Sequence, residues 1–300
     1  MLPCCFRAWR KSAAGGVSNR PAPHKTGDFR KSGKYAIWEV PGSGWPLPDM
    51  KHKPFHATQF FFATAPLPCP YLPGRVERRV VTELLGRDVA TLHDALSLAG
   101  YRRSHGIAYA PACPDCTACV AARIVVDGFT PSRSQRRVWK INAAVEAEET
   151  PGGATEEQFT LFAAYQDSRH ADGEMARMDF LDYRALIEDN PVDTEIVEFR
   201  DPDRSLLGTC VMDRLGSGLS AVYSFFDPAL GRRSLGTYMV LWMVERAKAL
   251  GLRYVYLGFW VADCAKMSYK ATFQPLEGYT PEGWRPLRPG EWPNAPAPEA

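Results

Sequence analysis

The chain has 300 residues, 45% of them hydrophobic and 23% charged, with a formal net charge of +2. This is the composition of a globular chain with enough residues for one large core or two modest ones. No apolar run approaches the ~18 residues a membrane helix needs, no apolar segment of a secretory leader follows the N-terminus, and the near-zero charge excludes global attraction to nucleic acid.

Residues 1–49 carry eight Lys or Arg and three acidic residues, a net of +5, which leaves −3 for the remainder. Rich in Gly, Pro, Ser and basic residues, this segment reads as disordered or as a start-site extension ahead of Met50. Only YAIWEV, at 35–40, resembles a strand in it. Ordered structure is expected from FHATQFFFATA, a strand at 55–65. A helix follows over 88–99, where Val89, Leu92 and Leu96 share a face and Gly100 ends it. Strands are expected at 101–110 and 120–129.

The next segment, SRSQRRVWKIN, predicts a helix over 132–142 with Ser132 as its N-cap. Arg133, Arg136, Arg137 and Lys140 then fall at i, i+3, i+4 and i+7 on one face. Such a stripe either tracks a phosphate backbone or is a solvated helix face. TPGGA, 150–154, reads as a linker. Beyond it come helices at 155–168, with a Thr155/Gln158 capping box, and at 180–188. Three strands follow at 194–200, 206–213 and 219–226. A long helix over 234–250, a strand at 253–259 and a short helix at 263–273 complete the folded part. Five prolines in 286–300 predict a flexible tail.

Two clusters stand out chemically. Cys113, Cys116 and Cys119 form C-x2-C-x2-C, and Cys69 is a candidate fourth thiolate. With eight cysteines and no export signal, the pattern suits an iron–sulfur cluster or zinc, or reduced thiols packing a turn. The second cluster is YVYLGFWVADCAKMSYKATFQPLEGY, 254–279, which gathers Tyr256, Tyr269, Tyr279, Lys266 and Lys270 about one turn.

The order of C-terminal elements resembles the GNAT acyltransferase fold, in which a helix N-terminus binds phosphate. The turn GRRSLGT, 231–237, supplies Arg232 and Arg233, but Tyr238 stands where a small residue is usual and would crowd a coenzyme A pyrophosphate. Four segments carry a narrower likeness: CPYLPGRVERRVVTEL (69–84), GYRRSHGIAYAPACPDCTACVAARI (100–124), FTPSRSQRRVWKIN (129–142) and YLGFWVADCAKMSYKATFQPLEGY (256–279). Together they resemble the bacterial aminoacyl-tRNA–protein transferases, in the aspartate/glutamate leucyltransferase branch.

The resemblance implies an α+β, GNAT-like fold with an N-terminal partner lobe over 50–149, or a double-GNAT arrangement, and a catalytic domain over 150–285. It implies transfer of leucine from leucyl-tRNA to proteins beginning with Asp or Glu, with no DNA partner and no required cofactor. With no membrane span or export signal in the sequence, a cytoplasmic location and no membrane partner are expected. In the eukaryotic branch of the family the N-terminal cysteines are cluster or metal ligands. Here Leu72 alters that pattern.

Positioning, oxyanion stabilisation and proton transfer are the tasks such a reaction sets. Asp227, at the end of an expected strand, is the first candidate for the base, or else a turn residue before Pro228. Tyr223, Tyr256, Tyr269 and Lys270 are candidates to orient the amine or the ester. Arg102, Arg103 and Lys266 are candidates for the acceptor's carboxylate. Arg133, Arg136, Arg137, Lys140, Arg232 and Arg233 are candidates for the tRNA. Two other readings compete: an acetyl-CoA-dependent N-acetyltransferase, and a non-enzymatic RNA- or metal-binding module.

Overall fold

A computed structural model describes residues 59–151 and 153–288. The readings of 1–49, of the strand at 35–40 and of the tail beyond 288 lie outside the described residues. From Phe60 onward these residues belong to one compact unit. The fold is α+β.

The N-terminal part builds two small sheets. Phe62–Ala63 (β1), Arg79–Glu83 (β4), Arg102–Ser104 (β5) and Ile107–Pro111 (β6) form a four-stranded sheet in the order β1-β4-β6-β5. Leu67–Pro68 (β2) pairs Val76–Glu77 (β3). The single strand expected at 101–110 is therefore a hairpin, because His105 takes a left-handed φ of 51° and turns the chain at Gly106. Helix Val89–Leu98 (α1) packs on this sheet through Leu84, Leu96 and Ala108.

A large sheet organises the rest. Its eight strands run in the order β14-β13-β7-β12-β11-β10-β9-β8. They are Val120–Val125 (β7), Glu146–Pro151 (β8), Thr194–Arg200 (β9), Leu206–Leu215 (β10), Gly218–Phe226 (β11), Tyr254–Trp260 (β12), Leu276–Thr280 (β13) and Gly283–Pro286 (β14). The linker expected at 150–154 thus begins inside β8, where paired backbone outweighs the turn chemistry of Pro and Gly. The expected tail likewise begins as β14, and Leu287 beyond it is buried.

Alternation along each strand fills both faces. One face, with Val197, Phe199, Met212, Val255 and Leu257, packs on helix Leu235–Ala249 (α5). The other, with Ile196, Val211, Phe225 and Phe259, packs on helices Glu156–His170 (α3) and Phe180–Glu188 (α4). The helix expected at 132–142 is Arg133–Ile141 (α2). Ser132 accepts from Gln135 N, and the Gln135 side chain accepts from Ser132 N, closing a capping box. The box expected at Thr155/Gln158 is formed in the same way. The helix expected at 263–273 is only a 3-10 turn over Ser268–Thr272.

Arg103, an acceptor-binding candidate, is committed to the fold. Its Nε and Nη2 grip Asp213 at 2.6 and 2.7 Å, and Nη1 donates to Asn190 at 2.6 Å. Both ions are buried, so removing one strands the other. Arg103→Met is expected to lower stability by about 3 kcal/mol, read as a shift in urea midpoint. Transfer activity per folded molecule should stay within twofold.

Candidate active site

The site arises where two parallel strands part. β11 and β12 pair only at Gly218↔Tyr254, Leu219↔Val255 and Ser220↔Tyr256. Past these pairs both strands are irregular. On β11, Val222 falls in a bulge against β10, and on β12 the register with β7 shifts at Gly258, whose φ is +75°. The strands diverge and leave a cleft of about 430 Å³, bordered also by the start of α5 and the end of α3.

Arg102 occupies the apex. It reaches in from β5, and its Nη2 donates to Ala221 O (2.9 Å) and Val222 O (3.1 Å), carbonyls of β11 beyond its last pair with β12. Its Nη1 is buried with no partner among the described residues. Gly258 makes this possible, because a Cβ there would lie against the guanidinium, 2.6 Å from Nε. A buried guanidinium N–H without an acceptor suits an anion delivered by a ligand.

Lys270 forms another wall. It is buried, and its Nζ donates to Phe259 O at 2.6 Å. Burial, reinforced by the Arg102 charge, pushes its ammonium down to about 7. Tyr269 beside it is exposed, and Lys266 stands at the rim. Tyr223 also lines the cleft, where Gln166 Nε2 donates to its hydroxyl at 2.5 Å and burial raises its pKa. Arg169 and His170, from the last turn of α3, complete the polar wall. No Asp or Glu is among the lining residues, so the cleft carries uncompensated positive charge.

Other candidates stand elsewhere. Asp227 is not in the lining; its Oδ1 accepts from Ala229 N at 2.8 Å and caps the turn Pro228–Arg233. Tyr256 lies on the far side of β12, with its hydroxyl 3.1 Å from Ser217 Oγ and its ring against Trp284. There Arg123 pairs with Glu277 and stacks on Tyr254. Tyr279 joins the same cluster through Trp284. The 254–279 stretch therefore serves two places: β12 separates its tyrosines, and of its tyrosines and lysines only Lys266, Tyr269 and Lys270 line the cleft. Arg233 is held by Asp201 and Asn142, while Arg232 is exposed. Tyr238 does not crowd the turn as expected. It is buried, with its ring against Trp139 and Phe199, because the helix turns that position into the core.

The chain matches two family models: "Arginine-tRNA-protein transferase, N terminus" over 67–137 and "Arginine-tRNA-protein transferase, C terminus" over 157–280. It is 57% identical over 242 residues to the aspartate/glutamate leucyltransferase of Paramagnetospirillum magneticum, covering 81% of this chain and 99% of that one. The chain belongs to the aspartate/glutamate leucyltransferase family. Its relative of the same name in Granulibacter bethesdensis is 57% identical over 235 residues, 78% of this chain and 88% of that one. The one in Rhodospirillum rubrum is 51% identical over 236 residues, 78% and 96%. Among solved structures, the C-terminal domain of a putative lysylphosphatidylglycerol synthetase from Agrobacterium fabrum aligns at 11% identity, covering 65% of this chain and 63% of that one. The TM-score is 0.41, too low to bear on the fold.

Within this family member the N-terminal match contains both Arg102 and the cysteines, and the C-terminal match contains the remaining cleft walls. Cys69, Cys113, Cys116 and Cys119 do converge, around a cavity of about 20 Å³. Leu72 N donates to Cys69 Sγ and Arg78 N to Cys113 Sγ, both at 3.4 Å, and burial with its neighbouring cysteines pushes the Cys119 thiol up to about 12. No group of three or more Cys, His, Asp or Glu among the described residues stands at metal-holding spacing. As they stand, the four do not fit a metal or a cluster, and no chemistry is assigned to one.

The candidates missed in the sequence are Arg169, His170 and Gly258. The first two sit at the end of a helix whose position was expected, but nothing in a helical period says which way its last turn faces. Gly258 sits inside an apolar strand, where a lone glycine signals a bulge or a close approach.

Proposed function

We propose that this chain transfers leucine from leucyl-tRNA to the α-amine of proteins that begin with Asp or Glu, which marks them for degradation, and that it does so in the cytoplasm. Membership of the leucyltransferase family supports the reaction, and no helix among the described residues is long and apolar enough to cross a membrane. The observation that carries the site is the cleft itself, lined by Arg102, Arg169, Lys266 and Lys270 without a carboxylate. The parting of β11 and β12 beside the start of α5 supports a GNAT-like reading of the catalytic part, with the N-terminal residues as its partner lobe.

The chemistry follows from these groups. The acceptor's acidic side chain enters the cationic end, where Arg102 Nη1 donates to it and Lys266 adds charge. The acceptor's α-ammonium gives one proton to neutral Lys270. The free amine attacks the ester carbonyl, an N–C bond forms, and the C–O bond to the terminal ribose breaks. The second amine proton goes to the leaving ribose oxygen. No covalent enzyme intermediate is needed, because the ester is already activated. The decisive assay combines the purified chain, leucyl-tRNA and peptides beginning with Asp, Glu or Arg, with mass spectrometry as the readout. Leucine on the acidic peptides alone is expected; none on them would overturn the reading.

α2 presents its basic stripe to solvent: Arg133, Arg136, Arg137 and Lys140 are all exposed. In the proposal this face follows the acceptor arm. Replacing Arg133, Arg137 and Lys140 together with Ala is expected to raise KM for leucyl-tRNA about tenfold and to flatten its salt dependence. KM for the peptide should not move.

One observation favours a second reading. With Tyr238 in the core, the start of α5 is not crowded by its ring, so coenzyme A is not excluded on that ground. Acetyl transfer to the same peptides from acetyl-CoA, at a rate exceeding leucyl transfer, would favour it.

A further inference from the structure

The cleft lining is chemically mixed. Beside its cations, it includes a buried apolar floor below the start of α5. Cys210 comes from β10, Met239, Val240 and Met243 from α5, and Leu257 from β12. All five are buried. Cys210 Sγ stands 4.0 Å from Met243 Sδ, so two polarisable sulfurs meet in the same floor. Unbranched thioether chains adjust to the shape of an apolar guest.

We infer that this floor receives the aminoacyl side chain of the donor and selects a neutral, branched aliphatic residue over a guanidinium. The inference rests on the proposed leucyl transfer and adds to it the residues that read the donor. Two physical arguments carry it. A guanidinium in this floor would be desolvated with no carboxylate in the lining to meet it, and with Arg102, Arg169 and Lys266 in the same cleft it would face repulsion instead. An isobutyl group would exchange water for methyl and sulfur contacts. Discrimination among apolar donors should be modest, because a methylene more or less changes selection only about 10–200-fold. Discrimination against a cationic donor should be far larger.

Val240 gives the cleanest test, as it combines a place in the floor with a slight exposure of 7%. The same leucine tRNA is charged with leucine, alanine or phenylalanine, and kcat/KM is measured for each on one Asp-initial peptide. The unmodified chain should prefer leucine. Val240→Phe fills the floor and should lower the leucine-to-alanine ratio at least about tenfold. Val240→Ala enlarges it and should raise phenylalanine relative to leucine by a similar factor. Because ratios are compared within one preparation, partial loss of folded protein does not change them, and the truncation remains informative if the larger variant does not fold. Ratios unchanged in Val240→Ala would overturn the inference while leaving leucyl transfer standing. Failure of the unmodified chain to transfer leucine would overturn the functional reading, and this inference with it.

Discussion

Lys270→Met is expected to lower kcat/KM for leucyl transfer by about 10²–10⁴-fold, the range that general acid–base groups supply, with the melting temperature held or raised. The two expectations together separate a proton acceptor from a structural lysine. Lys270 is buried and gives its hydrogen bond to a backbone carbonyl, Phe259 O, rather than to a carboxylate. Burial, then the Arg102 charge, holds its pKa down at about 7 against an ordinary 10.5. Between those two values the unfolded chain binds a proton that the folded chain does not. The group's unfavourable contribution is therefore complete below about pH 7 and is relieved as pH rises toward 10.5. Methionine removes that contribution and keeps most of the apolar stem, so the variant should lose the pH dependence of stability that this group adds.

In the proposed reaction the same ionisation sets the rate. Neutral Lys270 would accept the ammonium's proton, so kcat/KM should rise through about pH 7. Lys270→Met should lose that limb, and Lys270→Arg, cationic throughout, should not restore it. Equal falls in activity and in melting temperature would sink the assignment.

Local signals in the sequence were enough for α1 to α5, though not for 263–273, where only a 3-10 turn forms. The capping boxes at Ser132 and Thr155 mark two helix starts because their bonds close within four residues. The basic stripe on α2 was visible in the same way, through spacing alone. The cleft was legible only in part, because it depends on contacts over long separations. Arg102 reaches carbonyls 119 and 120 residues away. Tyr256 and Tyr269 stand close in the chain yet belong to different places, since β12 turns one of them toward Arg123. Asp227 had the right position at a strand end but the wrong neighbours: its carboxylate is used by a backbone N–H two residues on. Tyr238 shows the same limit in reverse. Its place in a loop pattern suggested obstruction, whereas helical period carried its ring into the core.

Gly258→Ala tests the apex from which the cleft opens. Position 258 has φ +75°, and a left-handed residue with a side chain costs about 1–3 kcal/mol. The added methyl also meets the Arg102 guanidinium, which cannot yield freely because Ala221 O and Val222 O hold it. Displacing it gives up at least one of two charge-assisted hydrogen bonds, each worth about 1.5–3 kcal/mol. With one bond lost, a total of about 2.5–6 kcal/mol is expected, with transfer to Asp-initial peptides falling more than stability alone explains. Arg102→Ala by itself should raise KM for the acidic peptide and leave KM for leucyl-tRNA within twofold. In the double variant the methyl has nothing to displace, so only its backbone cost remains. The two losses should then fall short of additivity by the hydrogen-bond part, about 1.5–3 kcal/mol, within the range for residues in contact. Simple additivity would mean that the guanidinium does not occupy the space beside Gly258, and the anion site assigned to Arg102 would fall with it.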